Sequence, residues 1–182
     1  MSENSPIKDA LYAKIDGIGQ EQIHQLLLNN KYSELFEKIY ESVIHTVQDI
    51  EEYEKHGILA ESLTHYLFTE MLIPSQRKIT FESIELDMII PNTTELQKHS
   101  QNTIIIFFVK ISNIEQVKQK IQDLKKLQKD DAKIWIISKD HIEITQSTYI
   151  TEKESFGKFL KDAQNFIKTK KMNKLNIFKT KI

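Results

Sequence analysis

The chain has 182 residues, of which 40% are hydrophobic and 28% charged, and its formal net charge is −1. That is the make-up of an ordinary globular protein long enough to bury one sizeable core. The absence of cysteine excludes disulfides, thiolate zinc centres and a catalytic thiol. The opening Met-Ser-Glu-Asn-Ser-Pro lacks the basic and apolar segments of a signal peptide, and no apolar run reaches membrane-spanning length; a cytoplasmic location with no membrane association is expected.

Taken in chain order, Pro6 opens a helical pattern that runs to about Ile15. Gly17 and Gly19 punctuate it, and Ile23, Leu26 and Leu27 resume at helical spacing. A long amphipathic helix is expected next, with Phe36, Ile39, Val43, Val47 and Ile50 along one stripe. Gly57 is expected to break it. A following helix carries Leu59, Leu63, Tyr66 and Leu67 to about Leu72, and Pro74 closes the helical region.

The hydrophobic period changes from 3.6 to 2 at Lys78. Ile79-Thr-Phe and Ile84-Glu-Leu-Asp-Met-Ile-Ile read as two strands around a Glu82-Ser83 corner, the second stopped by Pro91. Residues 92–103 read as polar loop, and residues 104–110 as a strand. Ser112-Asn-Ile-Glu115 is a capping box for a helix with Ile114, Val117, Ile121 and Leu124 on one stripe. Residues 132–137 form the next strand, so a right-handed crossover and parallel pairing follow. A short strand at 142–145 is expected, then a last helix opened by a second capping box, Thr151-Glu-Lys-Glu154.

Lys110 ends an otherwise apolar strand, and a buried ammonium needs a carboxylate, a phosphate or water. Alternation puts Glu85 and Asp87 on one face of their strand and Phe108 and Lys110 on one face of theirs. Antiparallel pairing of the two strands brings Asp87 beside Lys110. The blander alternatives are a solvent-facing Asp87, a Lys110 that snorkels from a strand end, and a Glu61 that pairs with His65 on a solvated helix face. Acids dominate residues 34–61, whereas Lys168, Lys170, Lys171, Lys174, Lys179 and Lys181 crowd the C-terminal end without an acid among them. That end is either a phosphate-binding segment or a solvated terminus.

The order helix, three strands, helix, strand, with these polar positions, resembles the PD-(D/E)XK nuclease superfamily of restriction endonucleases and Holliday-junction resolvases. The resemblance covers residues 58–138 and implies an α/β, restriction-endonuclease-like mixed sheet flanked by helices. A helical N-terminal extension would occupy residues 1–56, the nuclease-like core 57–150, and a C-terminal helix with a basic tail 151–182. Carried onto this chain, the resemblance makes Glu61, Asp87 and Lys110 catalytic. Asp87 and Glu61 would hold Mg²⁺ or Mn²⁺, and Lys110 would assist the attacking water. At Phe108 the chain departs from the family's acid, so the phosphodiesterase site is expected to be incomplete or altered, with Glu85 or Glu61 as the substitute acid.

Ile15-Asp-Gly-Ile-Gly-Gln also looks like the hairpin of helix-hairpin-helix DNA-binding modules, which implies phosphate contacts at Gly17 and Gly19; a plain glycine turn is the other reading. The expected ligand is nucleic acid, DNA in particular, with Lys168, Lys170, Lys171 and Lys174 contributing. The alternative is a catalytically inactive protein-interaction or assembly subunit on the same fold, with a protein partner or a second copy of the chain.

Overall fold

Isoleucine-rich strands buried on both faces need a helical layer on each side, and alternation divides their side chains between two cores. The computed structural model describes residues 5–179, with side chains as far as Lys170. Five strands, β1 (Gln76–Phe81), β2 (Ile84–Ile90), β3 (Ile104–Phe108), β4 (Ile134–Ser138) and β5 (Ser147–Ile150), form one mixed sheet in the order β1-β2-β3-β4-β5. The first three are antiparallel neighbours, whereas β3–β4 and β4–β5 are parallel. This is an α/β architecture.

One core collects Ile104, Ile106 and Phe108 with α1 (Pro6–Ile18), α2 (Gln20–Leu28), α3 (Tyr32–Phe36), α4 (Ser42–Ile44), α5 (Glu52–Glu70) and α8 (Lys153–Lys179). The other collects Ile105 and Phe107 with α6 (Thr93–Lys98) and α7 (Ile114–Leu127). Each fully buried isoleucine or phenylalanine contributes about 1.5–3 kcal/mol of transfer free energy. The N-terminal helices therefore share the sheet's main core, and the boundary expected at residue 56 falls inside α5.

Several elements differ from the sequence expectation. The amphipathic rod after Lys31 stops at Ile44 and contains a π-turn at Glu37–Glu41. Val47 still reaches the same core from outside the helix, and two residues later Asp49 takes a left-handed φ of 65°. Residues 92–103 contain α6, capped by Asn92, whose side chain accepts from Glu95 N–H at 2.8 Å. The cap of α7 is Asn113, not Ser112. The last strand is β5, and Ile142 and Ile144 pack onto the α7-side core instead. The Glu82-Ser83 corner is a two-residue hairpin loop with both φ values positive, at 47° and 66°. Among the described residues no helix is long and apolar enough to cross a membrane.

Candidate functional site

Residues of α5, β1 and β2 converge with the end of β3 where β2 and β3 part. Their pairing runs from Ile90↔Ile104 to Met88↔Ile106 and goes no further. Beyond it, Phe108 N–H donates to the Asp87 Oδ2 carboxylate oxygen at 2.9 Å, a side chain standing in for the missing ladder carbonyl. Asp87 Oδ1 lies 2.8 Å from Lys110 Nζ, and the same ammonium lies 2.8 Å from Glu61 Oε2 on α5. Arg77 Nη2, from β1, stands 3.7 Å from Glu61 Oε1, which has no hydrogen-bond partner among the described residues. The Glu61 side chain is only 4% exposed; Asp87 and Lys110 are 20% and 28% exposed.

Burial works against the charge on Lys110, but Asp87 and Glu61 outweigh it and hold its pKa above the ordinary lysine value. It stays an ammonium, bridging two carboxylates, with Arg77 as the second cation. Two positive and two negative groups thus meet inside the fold. The sequence brings Asp87, Lys110 and Glu61 together as expected. Glu61 takes Lys110, not His65, as its partner.

Glu85 is not part of the cluster: its side chain is exposed, and its main-chain oxygen accepts from Lys120 Nζ at 2.6 Å. Phe108 is fully buried in the α5-side core. Gly17 lies within α1, and Gly19 N–H is taken up by Ile15 O at 3.0 Å, so it closes α1 instead of facing a phosphate. Gly19 keeps a turn-forming role, with φ at 88°. Lys168 is exposed on α8 and Lys170 Nζ sits 4.7 Å from the Phe166 ring centre; the side chains of Lys171 and Lys174 lie outside the described residues. Arg77 escaped sequence reasoning, since nothing in Gln-Arg-Lys marks which residue turns toward Glu61.

Gly57 explains how α5 comes so near. A Cβ there would fall 2.5 Å from Lys110 Cγ and 2.5 Å from Val109 O, a main-chain atom whose residue is tied by its N–H to Ile137 O at 2.8 Å. The glycine sits mid-helix at a cost of about 1 kcal/mol relative to alanine because the crossing leaves no room for a methyl group. Gly57→Ala is expected to lower unfolding free energy by about 1–3 kcal/mol, overpacking outweighing helix propensity. Chemical denaturation checks it; a more stable variant would show that the crossing relaxes freely.

Mg²⁺ or Mn²⁺ does not fit the cluster as it stands. Lys110 holds the place between the two carboxylates that a bridging ion would need, and their charge is already balanced. Phe108 supplies no third oxygen for an ion that demands octahedral coordination. Among the described residues no group of three or more His, Asp or Glu side chains is placed to hold a metal. Beside the cluster, a recess of about 370 Å³ is walled by Phe107, Phe108, Ile111 and Gln116, with Lys110 and Lys120 set against Asp87 and Asp123. No protein-family profile, curated protein or solved structure matches this chain.

Proposed function

We propose that the chain is a nuclease-like nucleic-acid-binding domain of restriction-endonuclease-like architecture, with DNA as its ligand and an altered phosphodiesterase centre that does not cut. The observation that carries this reading is the Lys110 ammonium lying 2.8 Å from both Glu61 and Asp87, at the positions where the resemblance puts a metal-dependent centre. The order α5, β1, β2, α6, β3, α7, β4, with β4 parallel to β3, supports the architecture. Lys168 on α8, followed by Lys170, Lys171, Lys174, Lys179 and Lys181 with no acid among them, supports phosphate contact.

Fluorescence anisotropy with duplex and branched DNA over a salt series tests the binding. Removing residues 168–182 is expected to weaken binding and flatten the plot of log affinity against log salt, by roughly one unit of slope for each phosphate the tail neutralises. An unchanged slope would make the tail a bystander. Undetectable binding by the intact chain at low salt would exclude nucleic acid as the ligand.

A catalytically silent protein-interaction or assembly subunit is the second reading, and one observation favours it. The recess beside Lys110 is lined by two lysines and two aspartates, not by a basic face, and Ile111 and Ile114 next to it are exposed.

A further inference from the structure

A second polar cluster lies on another face of α5 and is independent of the nuclease-like reading. The π-turn at Glu37–Glu41 carries Tyr40, whose ring stacks on Phe36 at 4.5 Å between centres. π-Turns are rare and recur at functional sites. The Tyr40 hydroxyl lies 2.9 Å from His56 Nδ1 and the Thr151 hydroxyl 3.1 Å from the same nitrogen. On the far side of the ring, Nε2 stands 3.6 Å from Glu52 Oε2. These groups border a cavity of about 490 Å³ whose apolar wall includes Phe36 and Ile44.

We propose that Thr151, His56 and Glu52 form an acyl-transfer site that accepts an uncharged ester. The carboxylate of Glu52, which also pairs with Lys55 and Lys139, lies on the Nε2 side of the ring and favours a proton there, which leaves the Nδ1 lone pair toward the two hydroxyls. Tyr40 has a second acceptor, His56 O at 3.3 Å, so it can turn from Nδ1 and leave that lone pair to Thr151. Burial keeps the His56 pKa below the ordinary histidine value and that of Tyr40 above the ordinary tyrosine value, so the ring is a neutral base and the phenol stays protonated. Thr151 lines the cavity two residues ahead of the 27-residue α8, and Lys153 and Glu154 of its first turn line it too, so the positive end of the helix dipole borders the cavity.

The step balances without a further reagent. Thr151 Oγ attacks the ester carbonyl carbon as its proton passes to His56 Nδ1, and the imidazolium is held by Glu52. The tetrahedral intermediate expels the alcohol, which takes that proton and leaves an acyl-threonine. Water, deprotonated by His56, then releases the acid and restores the hydroxyl. The wall carries Glu41, Glu52, Glu152 and Glu154 against Lys55 and Lys153, which disfavours phosphoryl and other anionic substrates.

The test treats the full chain with p-nitrophenyl acetate and follows nitrophenolate release together with peptide mass mapping. An acetyl group on Thr151 is expected, with release at least tenfold slower in Thr151→Ala and retained in Thr151→Ser. Glu52, a positioning residue, should slow acylation when changed to Gln and restore it when changed to Asp. Thr151→Ala should fold, because the main-chain bond from Thr151 N–H to Ser138 O survives it, and circular dichroism verifies this. Acetylation confined to lysines, or equal release by folded Thr151→Ala, would overturn the proposal and reduce the cluster to a structural network.

Discussion

Lys110→Ala is expected to lower the unfolding free energy by about 3–5 kcal/mol, the usual cost of stranding a buried charge by removing its partner. Glu61, 4% exposed, would keep Arg77 at 3.7 Å, and Asp87 would keep the Phe108 N–H. The 28% exposure of Lys110 lets solvent screen part of the loss, which places the expectation at the lower end of that range. Against a typical domain stability of about 5–15 kcal/mol, this is a large fraction. Urea unfolding followed through Trp135, the single tryptophan, measures it. Adding Glu61→Gln to Lys110→Ala should recover part of the loss, and additive losses would show that the two do not interact. The pH dependence has a definite sign. Because the folded state raises the Lys110 pKa, its contribution is complete below the ordinary lysine value of about 10.4 and disappears as pH rises through the folded value. The parent should therefore lose more stability in alkali than the variant does.

Phe108→Glu is expected to abolish folding. The ring is fully buried in the α5-side core with Ile106, Ile137 and Leu63. Truncating such a ring costs about 3–5 kcal/mol, and placing a carboxylate in the space adds several more. It would also set a third acid near Glu61 and Asp87 with only Lys110 and Arg77 to balance them. The sum is comparable with the whole stability of a typical domain, about 5–15 kcal/mol. Circular dichroism and analytical ultracentrifugation should find an unfolded or aggregated chain. A folded variant that gained Mn²⁺ affinity would show instead that position 108 can still serve as a ligand position.

The meeting of Asp87 and Lys110 was legible because Lys110 is the one charge beside the apolar run 104–109, and antiparallel pairing of that run with the strand carrying Glu85 and Asp87 leaves few carboxylates within its reach. Glu61 was reachable only through the resemblance. Its burial depends on α5 lying against the end of β3, and no local pattern records that approach. The same approach made Gly57 misleading: by propensity it breaks a helix, whereas its lack of a Cβ is what lets the helix pass Val109 and Lys110. Asn92-Thr-Thr-Glu95 did carry a cap signal for α6, hidden in a stretch that read as loop for want of apolar residues. The π-turn left no trace, because Phe36, Ile39 and Val43 keep an apolar stripe whether or not one turn is widened. Arg77 and the Tyr40–His56–Thr151 contacts join residues far apart in sequence, and periodicity does not reach across such distances.

The proposal that Lys110 closes the place where a metal-dependent phosphodiesterase centre would work has a direct test. The intact chain, in excess, is incubated with end-labelled linear and branched DNA in Mg²⁺ and in Mn²⁺, and the strands are resolved on a denaturing gel. Strands of unchanged length are expected in both metals, under salt conditions where anisotropy reports binding. Metal-dependent cleavage that disappears in a folded Asp87→Ala variant would contradict the proposal, and would mean that the ion displaces Lys110 from between Glu61 and Asp87.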